Sequence, residues 1–584
     1  MKHNLLTKSI VVTGFILFVV AVSVYALRGR YVGIREGKAD ANYIRSTDCR
    51  TCHEDHFASW RKTHHSRMTQ DITVGTVQGD FEKQNTLDYL GVKAKMEKRP
   101  TGFFMNFAYA DGKTESFKIE RTVGSRRIEQ YVAKQNGQYF RLPVAYDLMN
   151  KRWMSLNGSF FYPDGDNYKQ HFTQWDTNCV FCHNVKAQPN YNFDTKLSRT
   201  EVSELGIACG ACHAQGAEHA EAARSPLTRA LWRANANSDT KIVDPLELDS
   251  DRSMMVCGHC HGQRVPEPFD RIREILGKGD PFDAGGDLSK YYRPVHADTS
   301  IGELSFANRF WSDGSPRLTA YEYQGVTGSA CFLKGEKGKR ITCTSCHTMH
   351  EGDIKGQITE EKRTNVACTQ CHTQLRDETA LKTHTKHEIN SAGSSCYSCH
   401  MPEVIYGVQA IHKTHLITVP NPSLTIEKSV PNACNQCHVD RSANWAVDQA
   451  KALWPSRYDT TTASKDSQFD TPEGVRGLFG GDALTRALMA DALTKHADPK
   501  WAAGFLIEAF AGDNYPVVRY FAANGIAAGN SSITKPDYLA TESARTSQIR
   551  PWIDSIDAAR MAEIKHTALD LRKKRKDVDL EVGE

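Results

Sequence analysis

The 584-residue sequence has almost no excess of charge of either sign: 73 lysines and arginines face 69 aspartates and glutamates, for a formal +4. With no long basic run before its last helical stretch, it lacks the electrostatic footprint of a nucleic-acid-binding protein. It also lacks a Gly-X-Y period, sustained heptads and a series of long apolar runs, which excludes collagen-like, coiled-coil and polytopic membrane architectures. What remains, at 40% hydrophobic and 24% charged, is a globular chain long enough for two or more domains.

Cysteine carries the strongest signal. Of 17 cysteines, all but Cys331 fall into eight copies of Cys-x-x-Cys-His. They are Cys49, Cys52 and His53; Cys179, Cys182 and His183; Cys209, Cys212 and His213; and Cys257, Cys260 and His261. The rest are Cys343, Cys346 and His347; Cys368, Cys371 and His372; Cys396, Cys399 and His400; and Cys434, Cys437 and His438. This string is the attachment site of a c-type haem, in which two thiols bond the porphyrin vinyl groups and the next residue supplies an imidazole to iron. Zinc sites and disulfides use paired cysteines too, but neither requires a histidine directly after the second cysteine every time. Eight covalent haems c are therefore expected, with Cys331 read as a buried free thiol.

Covalent haem attachment takes place outside the cytoplasm, so the chain has to be exported. Lys2 and Lys8 precede an uncharged apolar run, Ser9 to Leu27, followed by Arg28 and Arg30. Its length suits a single membrane span, an uncleaved anchor on the periplasmic side of a Gram-negative inner membrane. Val24-Tyr25-Ala26 is the competing feature, a small-residue cleavage site that would release a soluble periplasmic protein.

Three regions follow: an anchor or signal segment over 1–30, a haem domain over 44–440, and a helical domain over 441–584. The long gap between the first two motifs holds an insertion, about 85–165, in which alternating apolar residues flank Asp111-Gly112 and Asn136-Gly137. Those dipeptides between alternating runs are hairpin signals, so a small antiparallel sheet is expected there. From 179 to 438 the pattern is sparse, as when porphyrins fill the interior and short helices carry the motifs. After His438 alanine-rich helices begin: Leu484, Leu488 and Ala492 share a face, and Asp498-Pro499 reads as N-cap plus first helical residue. HEAT-like hairpins stacked as a solenoid and an ordinary helical bundle both fit this pattern.

Beyond the eight motif histidines, twelve lie near the motifs: His56, His64, His65, His171, His219, His259, His296, His350, His384, His387, His412 and His415. So many imidazoles beside so many irons point to sixth ligands, giving low-spin bis-His centres of low potential that are closed to substrates.

Several segments extend the pattern. FKIERTVGSRRIEQYVAKQNGQYFRLPVAYDLMNKRWMSL before the second motif, GIACGACHAQGAEHA at the third, and SVPNACNQCHVDRSANWA at the eighth resemble multihaem c-type cytochromes with doubled Cys-x-x-Cys-His motifs. Members of that family often end in tetratricopeptide or HEAT-like repeats, and they are related to octahaem redox enzymes of nitrogen and sulfur respiration. The resemblance covers about residues 45 to 450. It implies distal ligands at His65, His171, His219, His350, His387 and His415, with His296 and His384 completing eight. IHKTHLI departs from the family pattern and leaves His412 and His415 competing for one position.

The function this implies is a periplasmic electron relay between redox partner proteins, with mostly bis-His haems. The alternative is a reductase or oxidoreductase of a small nitrogen or sulfur compound at one five-coordinate haem, which requires one distal ligand to be missing.

Overall fold

Alternation of apolar and polar residues between Thr86 and Ser155 becomes an antiparallel meander. A computed structural model describes residues 40–165, 168–235, 241–318, 320–407, 409–529 and 534–578. The apolar run Ser9 to Leu27 lies outside them, and among the described residues no helix is long and apolar enough to cross a membrane. The sheet starts with β1 (Thr69–Asp71), β2 (Thr86–Tyr89), β3 (Val92–Arg99), β4 (Gly102–Ala108) and β5 (Thr114–Val123). It continues through β6 (Ile128–Gln135), β7 (Gln138–Asp147), β8 (Arg152–Ser155) and β9 (Thr173–Gln174).

Strands β2 to β8 pair in chain order, β1 adds to β5, and β9 adds to β7. Asn136 and Gly137 both have positive φ in the two-residue turn between β6 and β7, the backbone that this dipeptide favours. Met96, Met105, Phe107, Ile119, Tyr131 and Leu142 share one buried core, each from the inward face of its strand. Between the pairs Val132·Arg141 and Gln130·Ala145 the β6–β7 register shifts, so the stretch holding Pro143 bulges out of the ladder.

From Cys179 to His438 the chain forms short helices, among them Cys209–His213, Ser250–Gly258, Cys396–His400 and Ala433–Cys437, with two-stranded ribbons between them.

Beyond His438 lie α1 (Ala443–Leu453), α2 (Glu473–Gly480), α3 (Ala483–His496), α4 (Pro499–Gly512), α5 (Pro516–Gly529), α6 (Glu542–Ile553) and α7 (Ala558–Arg572). The Asp498 carboxylate accepts from the Lys500 and Trp501 amides, the cap that its place before Pro499 predicts. α3 packs on α2 and α5, α4 on α5 and α6, and α2 closes onto α7. The second and the last of these helices, α2 and α7, are thus in contact.

This bundle is fused to the rest of the chain. One apolar core runs from Ala145, Leu156 and Phe160 through Val295, Phe310 and Ile405 to Leu478, Phe510 and Phe521. Arg519, fully buried, pairs with Asp164 at 2.9 Å, and Arg317 pairs with Asp482 at 2.6 Å. Gln409 Nε2 donates to Tyr538 Oη at 2.7 Å.

Candidate haem-binding centres

Each motif is one helical turn. The amide of His53 donates to the carbonyl of Cys49 at 2.9 Å, and the same bond closes the turns ending at His183, His261, His347, His372 and His438. Cys209–His213 and Cys396–His400 are helical throughout. One turn brings residues i, i+3 and i+4 to one side, so both thiols and the imidazole can meet the same porphyrin.

Six motif histidines face a second imidazole. Ring centroids are 6.0 Å apart for His53 and His219, 6.3 Å for His213 and His350, and 6.2 Å for His347 and His415. They are 6.1 Å apart for His400 and His384, 6.2 Å for His438 and His387, and 6.1 Å for His261 and His65. A metal–imidazole bond is about 2.0 Å and the ligating nitrogen lies about 1.1 Å from the ring centroid, so two imidazoles on one ion have centroids about 6.2 Å apart. These pairs therefore have the spacing of a bis-imidazole iron site and fit the haem that the motifs imply.

Metal ligation needs neutral, oriented imidazoles. Burial, then the facing imidazole, lowers the proton affinity of His53, His384 and His438 and takes His65 down to about 4. Nδ1 donates to a backbone carbonyl in His213 (Val243, 2.7 Å), His347 (Gly356, 2.9 Å), His400 (Thr418, 2.7 Å) and His387 (Thr385, 2.7 Å). That bond fixes the tautomer and leaves Nε2 for metal.

Two motif histidines, His183 and His372, have no facing imidazole among the described residues. Two of the eight expected distal residues lie apart from any motif histidine: His171 and His296. The Nε2 of His171, the atom that would ligate iron, hydrogen-bonds to Asn157 Oδ1, and its ring packs against Phe160 and Tyr162. His296 is exposed beside Phe310.

The other histidines have their own partners. His259 pairs with Asp280 at 2.7 Å, His64 Nδ1 meets Ser125 Oγ at 3.0 Å, and His412 stacks on Tyr406 at 4.0 Å, which leaves His415 to face His347. His56 stacks on His350 at 4.5 Å and lies 6.1 Å from His53.

Thiols of different motifs are neighbours. Cys49 lies beside Cys209, Cys182 beside Cys260, Cys257 beside Cys343, and Cys368 beside Cys396. Cys212 neighbours Cys257, Cys346 neighbours Cys368, and Cys399 neighbours Cys434. Backbone and side-chain bonds cross the same junctions: Cys209 N donates to Ser46 Oγ at 3.2 Å, and Cys396 N to Asn365 Oδ1 at 2.9 Å. The motifs thus follow one another in space as first, third, fourth, fifth, sixth, seventh and eighth, with the second beside the fourth. Cys331, half-buried, lies near the sixth motif's Cys368 and Cys371.

Residues 336–377 match the family model described as doubled CXXCH motif, and residues 48–101 match the one described as cytochrome c554 and c-prime. In these two segments the chain is similar to multihaem c-type cytochromes. A solved structure, "Crystal Structure of Outer Cell Wall Cytochrome OcwA", aligns at 15% identity over 91% of this chain and 100% of that chain, with a TM-score of 0.44. No curated protein matches.

The sequence alone did not pair the imidazoles, because every facing histidine but His384 lies nearer in sequence to a motif other than the one it faces. It also passed over Arg141, whose charge bears on both His171 and His183. Its position beside a strand bulge was the signal available, and without the register the bulge has no sequence mark.

Proposed function

We propose that this chain is an extracytoplasmic electron relay holding eight covalent haems, one per motif, six of them with two imidazole ligands. Haem supplies one-electron chemistry, and two imidazoles set a lower potential than imidazole with thioether. The chain's part is to hold the imidazole pairs, fix their tautomers and bring successive motifs into contact. The carrying observation is the centroid spacing of 6.0–6.3 Å in six pairs drawn from distant segments. The nearness of motif thiols to one another supports a continuous path for electrons between redox partner proteins. Covalent attachment implies export, and Ser9 to Leu27 would tether the protein to the inner membrane.

The test is a pyridine haemochrome assay with intact mass and quantitative EPR on the oxidised full-length protein. Eight haems with six low-spin bis-imidazole centres are expected; six haems or fewer would defeat the reading. A second reading, reduction of a small nitrogen or sulfur compound, is favoured by one observation: His183 and His372 each lack a facing imidazole among the described residues.

A further inference from the structure

The turn between β5 and β6 is docked on the segment that carries His65. Thr69 on β1 pairs in register with Val123 on β5, the Gly124 amide donates to the Met68 carbonyl at 2.8 Å, and Ser125 Oγ lies 3.0 Å from His64 Nδ1. Gly124 turns the chain with a φ of 85°, backbone that favours glycine. His64 is thereby close to Arg126, which follows Ser125, and to Arg67, which ends the short helical turn His65–Arg67. The charges of Arg126 and Arg127 also reach His412, on the ribbon strand Ala410–Lys413.

Three guanidiniums thus gather here with little to balance them. Among the described residues no carboxylate pairs with Arg67, Arg126 or Arg127. Asp353, whose charge reaches Arg126, is paired with Arg363 and accepts from the Gly356 amide at 2.8 Å. Arg67 Nη2 donates to the Lys62 carbonyl at 3.2 Å, but the Nε donors of Arg67 and Arg127 are buried without an acceptor. Buried donors left so are costly, and the group that satisfies a guanidinium best is a carboxylate, whose two oxygens match its planar fork.

A covalent haem has two carboxylates of its own, on the porphyrin edge opposite the vinyl groups that take the thiols. The thiols of the fourth motif lie toward other motifs, Cys260 beside Cys182, and Cys257 beside Cys212 and Cys343. The arginines belong instead to the segment of His65, the imidazole that faces His261 at 6.1 Å, and to the turn docked on it. We propose that Arg67, Arg126 and Arg127 bind the propionate carboxylates of the centre held by His65 and His261. This rests on the reading that the fourth motif carries haem. It adds the residues that hold the acidic edge of that group and their effect on it: positive charge beside the propionates raises the electron affinity of the iron. Because the fourth motif adjoins the second, third and fifth, its centre is the junction of the path, and its affinity decides how electrons divide there.

The experiment is a redox titration of the full-length holoprotein followed by EPR. The imidazole planes of this pair are 77° apart, against 10° to 31° in the other five, so its centre has a low-spin signal of its own. Arg67→Gln and Arg127→Gln should each shift that signal about tenfold toward the oxidised form, a fall in midpoint of about 59 mV for one electron. The other pairs should keep their midpoints, and the haem count should not change. Arg127→Lys should recover part of the shift. Sodium phosphate, added at constant ionic strength, separates a propionate from a free anion: the midpoint should ignore it.

A midpoint unmoved by both glutamine variants overturns the proposal, as does a shift confined to the other five signals. A saturable response to phosphate that Arg127→Gln abolishes assigns the site to a free anion and overturns it too. Should either variant fail to accumulate, Arg126→Gln, at an exposed position, decides by the same readout. A wild-type count of six haems or fewer overturns the underlying reading and the proposal with it, and the haemochrome assay on the same sample tells that failure from the others.

Discussion

His65 meets His261 edge to face, with ring planes 77° apart, whereas the other five facing pairs lie between 10° and 31°. Near-parallel imidazole planes split the two out-of-plane iron d orbitals that overlap the imidazole π system, and near-perpendicular planes leave them almost degenerate. The oxidised protein should therefore show one highly anisotropic low-spin EPR signal beside a group of rhombic ones. His65→Ala should remove that signal and add one high-spin centre. Loss of a rhombic signal instead would mean that His65 serves another iron.

Haem in all eight motifs would also reverse the charge of the protein. Each covalent haem brings two propionates, leaving about −1 when oxidised and about −2 when reduced, so the +4 of the polypeptide becomes about −4 and then about −12. Isoelectric focusing of the oxidised holoprotein should give an acidic band that moves further down on reduction. A basic band would show that the motifs are largely empty.

The motifs were fully legible in the sequence, because helical spacing and the porphyrin's two vinyl groups dictate one local string. The sheet was legible too, through Asn136-Gly137 and the alternation on either side of it. The pairing of imidazoles was not, since His219 follows the third motif yet faces the first, and His350 follows the fifth yet faces the third. Such pairing is set by how segments cross in space, which leaves no periodicity. His171 and His296 were expected from the resemblance but lie against Asn157 and at the surface, where local hydrogen bonding and exposure decided their places. The bundle was readable as helices, while its fusion to the sheet depends on lone residues such as Asp164 and Arg519.

Acid should loosen the fold between the sheet and the haem region. Burial first, then nearby arginines, holds His171 and His412 down to about 3, against about 6.5 in an unfolded chain. Below pH 6.5 the unfolded chain binds protons that the folded one refuses. Stability therefore falls as pH drops, by up to about 1.4 kcal/mol per unit for each group, until pH approaches about 3. Denaturant midpoints measured from pH 7 to pH 4 should show this slope, and His171→Gln should lessen it. An unchanged slope in that variant would remove His171 from the account.

The two-pronged ion pair between Arg519 and Asp164 should matter more than a surface pair. Arg519 is fully buried, and Asp164 also accepts from Tyr89 Oη at 2.7 Å. Arg519→Met strands that carboxylate, at a cost of about 3–5 kcal/mol. Arg519→Met with Asp164→Leu should recover a large part of it. Ending the chain after Asp440 should be worse still, because it strips Val295, Phe310 and Ile405 of their apolar neighbours. A truncated protein that retains all its haems and its melting temperature would refute the shared core.

The crossed imidazole pairs bear on how such a protein could be made. An iron held by His261 and His65, or by His53 and His219, ties together segments that leave the translocation machinery at different times. Haem must be attached to an unfolded chain, since thiols and vinyl groups have to meet, yet a newly attached haem can find its second imidazole only after later segments emerge. Each early haem would then wait with a borrowed ligand or none. His56, one helical turn from His53, is within reach to serve as that temporary partner until His219 arrives.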